Sequence, residues 1–509
     1  MAQNRIPFTL LALIILTYLA VAGLYAVRTP DWQTPDEPAH YNYTRQLVEN
    51  GKVPMIESGD WDQAYLGELT SNRFAPETLA NLDAVQYEDH QPPFYYMLAA
   101  PIYALTNGNL TALRLLSVLI GLIIIVSAYG IGRAIYPDRP QIGLGAAAFV
   151  AFLPQHVAFL AAANNDALGW ALVALILWGT VLYLKPHPPA PSPIHREGEG
   201  NNAFKSPLHW LERGFRGEVK IWHLGLLVGI GFITKATTYF MAGIVMVAIL
   251  LHYLSLRPSP LRWGGDGGGD WLRQLVREVG LLLLPALILG GVWWLHNMDV
   301  YGVPDFLGLR AHDAVVIGQP RTADFIAANG WSAYLDKAAR ETFQSFFSQA
   351  GWMALPLQGI YYVVFGAFLL FALAGLFLVP FNKLIGRTPP QPLPNMRRDQ
   401  DKPDFSPSLS SGRGLGGGVS GYLRSIWIIL ILTIALSILA YLYYNSEFLQ
   451  LQGRYMYPLL IPLGIILALG LDSWRRILKL AWWLVPLVFF ALALFDVWLL
   501  WRVIVPNLS

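Results

Sequence analysis

Two carboxylates stand side by side in Thr34-Pro35-Asp36-Glu37-Pro38-Ala39-His40-Tyr41, directly after an apolar run. Pro35 and Pro38 stiffen the backbone around them. Adjacent side chains point in different directions on a helix or a strand, so one carboxylate is free to face a cavity while the other is held by a structural partner. A carboxylate at the edge of a low-dielectric space serves as a general base or binds a cation. The plain alternative is a solvated acidic turn that caps a helix. Further on, Glu88-Asp89-His90-Gln91-Pro92-Pro93-Phe94-Tyr95-Tyr96 sets His90 and Gln91 at the lip of an apolar segment opened by two prolines, a favourable helix start. An interface belt accounts for the aromatics, Tyr95 among them, but not for His90 and Gln91. Leu153-Pro154-Gln155-His156 then closes one apolar run and Asn164-Asn165-Asp166 opens the next. Asp166 there is either a helix cap or a site residue.

Isolated cations accompany these carboxylates. Lys235, in Phe232-Ile-Thr-Lys-Ala-Thr-Thr238, separates two apolar runs; it either snorkels or meets an anion. Arg454, in Gln452-Gly453-Arg454-Tyr455, opens a late apolar run, where a phosphate would explain it. Arg310 and His312 are weaker candidates of the same kind. Asp36 and Asp166 either share a divalent metal ion or flank one substrate; no His-rich spacing marks a zinc site. Carboxylates suit deprotonation of an acceptor and cations suit a charged leaving group, so a lipid-linked phosphate fits better than a small soluble solute.

The elements that position these residues are apolar helices. The 509 residues are 55% hydrophobic and 13% charged, against about 25% charged in soluble domains. Mean hydropathy is +0.43. The formal net charge of +2 gives no sign of nucleic-acid binding, and the lack of cysteine excludes disulfides and thiolate chemistry. A spanning helix needs about 20 apolar residues. Eleven spans are expected, near 7–27, 110–134, 142–162, 166–184, 222–235, 237–255, 279–297, 357–380, 425–444, 456–472 and 481–501, with 222–235 short. The first reads as a retained helix. The stretch 92–105 is too short to cross and reads as interfacial or re-entrant.

With the N-terminus inside, eleven spans put Arg133/Arg139, Lys185 to Lys220, Arg257 to Arg277, Lys383 to Arg424 and Arg475/Arg476/Lys479 on one side, the positive-inside pattern. The expected organisation is a first helix over 1–27; an outer loop over 28–109 with the Asp-Glu pair and interfacial helices; a core over 110–297; a second long outer loop over 298–356; and C-terminal helices over 357–509. Pro-, Gly- and Ser-rich insertions near 185–221, 256–278 and 386–423 read as disordered and cytoplasmic. Chemistry is therefore expected on the outer face.

Taken in order, Asp36-Glu37 after the first span, Pro92-Pro93-Phe94-Tyr95-Tyr96, Arg114-Leu115-Leu116-Ser117, Asn165-Asp166, Thr234-Lys235 and Gly453-Arg454-Tyr455 make the chain resemble the GT-C superfamily of integral-membrane glycosyltransferases. It is most similar to the family of protein O-mannosyltransferases and the lipid A aminoarabinose transferase. The resemblance implies an all-α polytopic fold of about 11 transmembrane helices plus interfacial helices in two long outer loops. It implies a sugar donor carried on a polyprenyl phosphate and transfer on the non-cytoplasmic face to a protein, lipid or glycan acceptor. It assigns the catalytic carboxylate to Asp36 and has Asp166 line the same site; Asp36, Glu37 and Asp166 are together the expected catalytic residues. His40, His90, Gln91, Tyr95, His156, Asn165, Lys235, Arg310 and Arg454 are the expected substrate contacts. Many relatives place an acidic residue and a Lys, or a His, before the two prolines; His90-Gln91 stands there here, so Lys235 or Arg454 is expected to meet the phosphate. A bacterial plasma membrane is the expected location. A transporter or flippase of lipid-linked sugars and a non-catalytic scaffold are the rival readings; no internal repeat supports transport.

Overall fold

The computed structural model describes residues 6–185, 219–255, 270–378 and 415–508. The expected insertions near 185–221, 256–278 and 386–423 lie largely outside them. The all-α polytopic expectation is borne out. Among the described residues nine helices are long and apolar enough to cross a membrane, or ten if one bent pair counts as a single span.

The 23-residue helix α1 (Ile6–Arg28) packs into the bundle, where Tyr18 Oη donates to the Val118 carbonyl and Tyr25 Oη to that of Asp496, both at 3.0 Å. The first loop carries α2 (Glu37–Asn50), α3 (Gln63–Ser71) and α4 (Phe94–Thr106). The 13 residues of α4 rise about 20 Å, less than a bilayer core. The stretch expected to be interfacial is thus a short helix, with Tyr95, Tyr96 and Ala99 inward and Leu105 outward. The core follows with α5 (Leu110–Ile135), α6 (Pro140–Phe152), α7 (Pro154–Leu160), α8 (Asp166–Leu184), α9 (Ile221–Phe232), α10 (Phe240–Ser255) and α11 (Asp270–Tyr301).

Two expected spans take other forms. Residues 142–162 divide into α6 and α7, bent by 65°, because Pro154 has no N–H to continue the helix. Residues 222–235 form only the 12-residue α9. It is held by close approach rather than length: a Cβ at Gly225 would lie 2.4 Å from the Leu282 carbonyl oxygen, and one at Gly229 would lie 3.0 Å from Ala286 Cα, so two small residues four apart seat α9 against α11. The start of α11 at Asp270 also turns residues 270–278 of the expected insertion into helix.

The second loop carries α12 (Leu309–Val315), α13 (Thr322–Phe347) and a hairpin of β1 (Gln349–Ala350) and β2 (Leu355–Pro356). After it come α14 (Gly359–Phe377), α15 (Leu415–Glu447), a 3-10 segment (Gly453–Leu459), α16 (Leu460–Ile477), α17 (Leu484–Leu499) and α18 (Val505–Leu508). The two loops share one small core of Ala39, Ile56, Leu69, Phe74, Val85, Tyr87 and Val316. Indole N–H groups fasten it, Trp61 to the Ile317 carbonyl and Trp352 to that of Trp32, both at 2.8 Å. A rigid cap therefore sits over the end of the bundle where Asp36, Asp166 and Arg454 lie.

Candidate active site

The turn Thr34-Pro35-Asp36-Glu37 separates the two adjacent carboxylates. Asp36 adopts a left-handed conformation (φ 69°) as the residue before α2, a region that Asp tolerates better than most residues. Its side chain caps nothing. Oδ1 accepts from Tyr87 Oη at 2.8 Å, and Oδ2 accepts from Arg454 Nη2 at 2.5 Å. The side chain keeps 22% of its surface, so it is reachable.

Glu37 points the other way and is fully buried. Arg114, in the first turns of α5, donates Nε to Oε1 at 2.8 Å and Nη2 to Oε2 at 2.6 Å. The Ala163 N–H also donates to Oε1, and Arg114 reaches the carbonyls of Ala26, Thr29 and Pro30. The pair ties the end of α1, the start of α2 and the turn between α7 and α8. Of the two expected orientations, Asp36 takes the open one and Glu37 the structural one.

Asp166 opens α8 without serving as its cap; Asn164 Oδ1 instead accepts from Ala167 N at 3.4 Å. The Asp166 oxygens go to cations, Oδ1 to Lys235 Nζ at 2.6 Å and Oδ2 to Arg454 Nη1 at 3.4 Å. Lys235 sits at the break between α9 and α10, in a segment whose Ile233 carbonyl accepts from Phe94 N at the start of α4. Its ammonium also donates to Asn165 Oδ1 at 2.7 Å, leaving one of three protons uncommitted among these contacts. Arg454 is placed by Gly453: a Cβ there would lie 2.4 Å from Phe346 Cα. The guanidinium lies 4.5 Å over Phe159 and 5.1 Å from Tyr455. Lys235, Asp166, Arg454 and Asp36 thus form one chain of alternating charge.

Neutral groups edge this chain. Gln91 Oε1 accepts from Asn165 Nδ2 at 3.2 Å, and its amide nitrogen lies 3.3 Å from His90 Nε2. His90 Nδ1 donates to the Tyr87 carbonyl, and its ring packs 4.4 Å from that of His312 on α12. Burial lowers His90 to about 4 and His312 to about 3, so both are neutral near pH 7. His40 shares a 2.8 Å hydrogen bond with Tyr96 Oη, and burial lowers its pKa more than the surrounding carboxylates raise it. For Asp36, burial pushes the pKa up, but the Arg454 charge and the bonds from Arg454 and Tyr87 outweigh it and hold the carboxyl below its usual range. Glu88, with Oε2 buried and unpartnered among the described residues, is pushed up by burial.

Three expected contacts lie elsewhere. Arg310 is exposed on α12. Tyr95 is buried against Ser117 Oγ at 3.0 Å. His156 donates Nδ1–H to the Val150 carbonyl at 2.8 Å and packs between Trp170 and Tyr457. Tyr87 and Arg114 were not singled out for roles. Arg114 is a lone cation at the head of a span, a signal of the kind that marks Lys235; Tyr87 is marked only by adjoining the Glu88–Gln91 cluster.

A divalent ion shared by Asp36 and Asp166 does not fit this donor set. The guanidinium of Arg454 already lies between the two carboxylates, and among the described residues no group of three or more His, Asp or Glu converges.

The model of a family described as dolichyl-phosphate-mannose-protein mannosyltransferase matches residues 90–189. That stretch runs from His90 to five residues past the end of α8 and includes Gln91, Asn165 and Asp166. Over it, the resemblance to membrane glycosyltransferases is borne out. No curated protein sequence matches the chain. Among solved structures, ArnT from Cupriavidus metallidurans bound to undecaprenyl phosphate is similar at 13% identity and a TM-score of 0.47, over 98% of this chain and 73% of that one. The archaeal oligosaccharyltransferase AglB from Archaeoglobus fulgidus, in complex with an inhibitory peptide and a dolichol-phosphate, is similar at 12% identity and a TM-score of 0.45, over 100% of this chain and 56% of that one.

Proposed function

We propose that this chain is a glycosyltransferase that moves a sugar from a polyprenyl-phosphate donor to an acceptor hydroxyl or amine on the extracytoplasmic face, with inversion at the anomeric carbon. The observation that carries the reading is the alternating chain of Lys235, Asp166, Arg454 and Asp36 at the cap-covered end of the bundle. The match over residues 90–189 supports it. The basic turns Arg133/Arg139 and Arg475/Arg476/Lys479 lie at the other end, which favours an extracytoplasmic site.

Asp36 takes the acceptor proton on a carboxylate oxygen. The freed pair on the acceptor atom attacks the anomeric carbon, the carbon–oxygen bond to phosphate breaks, and the phosphate leaves with that electron pair. Lys235, whose side chain keeps 15% exposure, takes the added charge on the phosphate with help from Arg454. Asp36 loses a negative charge as the phosphate gains one, so the site's total is unchanged. Asp166 and Asn165 aim Lys235, and Glu37 acts from outside the site, through Arg114 and the Ala163 N–H.

Two outcomes follow. Lys235→Met is expected to raise the donor KM roughly tenfold or more, the loss of one charge-assisted contact, with a smaller change in acceptor KM; donor titrations check it. Tyr87→Phe removes a hydrogen bond that favours the ionised form of Asp36. The acid limb of the kcat/KM profile is therefore expected to move to higher pH while the rate near pH 7 changes little. The reading itself is tested with purified protein in proteoliposomes and a donor labelled in both sugar and phosphate. Transfer predicts that the labels part, sugar to the acceptor and phosphate to free polyprenyl phosphate. A flippase would carry both labels across with their bond intact.

A further inference from the structure

A second charged cluster takes no part in this chemistry. At the far end of α16 from Arg454, the buried Asp472 accepts at Oδ1 from Gln141 Nε2 at 2.9 Å and Arg475 Nε at 2.7 Å, and at Oδ2 from Arg476 Nε at 3.0 Å and from Arg139. The 18 residues of α16 rise about 27 Å, close to the thickness of a hydrocarbon core. The two charged clusters therefore sit at opposite membrane interfaces.

One carboxylate here faces Arg139, Arg475 and Arg476, with exposed Lys479 in the next turn, an excess of three positive charges among these described groups. Arg133, in the last turn of α5, and Asp138, in the turn before α6, offset each other in charge. Arg139 and Gln141 already tie that turn and the start of α6 to α16 through Asp472. Arg475 and Arg476 each meet Asp472 through Nε, which leaves Arg476, 41% exposed, with outward N–H groups held in place. Ile477, Leu478, Leu480 and Trp483 stand exposed beside them.

We propose that this cluster binds the headgroup phosphate of an anionic phospholipid, with the acyl chains against Ile477, Leu478, Leu480 and Trp483. Guanidinium forks fit phosphate oxygens, a positive excess at headgroup depth attracts anionic lipid, and an apolar skirt beside the cations suits an amphiphile rather than a free ion. The site is independent of the sugar-transfer reading.

The test follows thermal unfolding of the full chain in neutral detergent with added phosphatidylglycerol, phosphatidylcholine or inorganic phosphate. Phosphatidylglycerol is expected to raise Tm, while phosphatidylcholine and phosphate leave it unchanged. Arg476→Gln with Lys479→Gln, both at exposed positions, is expected to need roughly tenfold more phosphatidylglycerol for the same shift. Lys479→Gln alone is expected to need severalfold more, and native mass spectrometry should show fewer retained phosphatidylglycerols in both. Equal shifts from the two lipids, or an unaltered dose response in the variants, overturn the proposal. Inorganic phosphate acting as well as phosphatidylglycerol overturns the lipid assignment.

Discussion

Asp36→Asn is expected to lower sugar transfer by about 10²–10⁴-fold, the range of general-base assistance, while the melting temperature and the yield of folded protein stay near wild type. Asn keeps the side-chain volume and tolerates the left-handed backbone that Asp36 adopts at φ 69°. Its amide oxygen can still accept from Tyr87 or Arg454, but it cannot take up a proton near pH 7. Arg454 retains its contact with Asp166 at 3.4 Å, so the substitution does not strand a buried cation. Steady-state transfer beside a thermal melt separates the two effects. Wild-type turnover by this variant would remove Asp36 from the mechanism.

Arg114→Ala is expected to act on stability instead, by about 3–5 kcal/mol, the cost of breaking a buried ion pair from one side. It leaves Glu37, with no exposed surface, facing only the Ala163 N–H. It also frees the carbonyls of Ala26, Thr29 and Pro30 at the end of α1. Arg114→Lys should recover little, because one ammonium cannot reproduce the two-pronged contact at 2.8 and 2.6 Å. Denaturant or thermal unfolding in detergent gives the stability, and transfer per folded molecule gives the role. If Glu37 and Arg114 are structural, activity falls in step with the folded fraction. A loss of turnover in fully folded Glu37→Gln would place Glu37 in the chemistry.

The contrast between Asp36 and Glu37 shows what sequence can and cannot convey here. Two adjacent carboxylates between prolines predict that they diverge. Which one faces the site depends on a backbone angle and on Arg114, 77 residues away. Apolar runs place the spans well because burial of a 20-residue helix in lipid is a local property of composition. Pro154 marks the helix boundary in sequence, but the size of the bend it produces, 65°, is visible only in the fold. The short α9 succeeds through Gly225 and Gly229 meeting α11, a contact between elements that no window of hydropathy contains. Lys235 and Arg454 stood out as cations in apolar surroundings. Their tie to Asp166 and Asp36 spans 69 and 418 residues of sequence, so only the fold reveals that Arg454 bridges two carboxylates before any phosphate arrives.

Docking of a lipid phosphate beside Asp36 can be read by photo-crosslinking. A polyprenyl phosphate with a photoreactive group near its head is irradiated with wild-type protein and with Lys235→Met, and the modified peptides are mapped. Docking there requires adducts within residues 34–41, 88–96 and 233–239, suppressed by unlabelled polyprenyl phosphate and strongly reduced in the Lys235 variant. Adducts confined to the Arg139–Arg476 end of the bundle, or a pattern that Lys235→Met leaves unchanged, would contradict it.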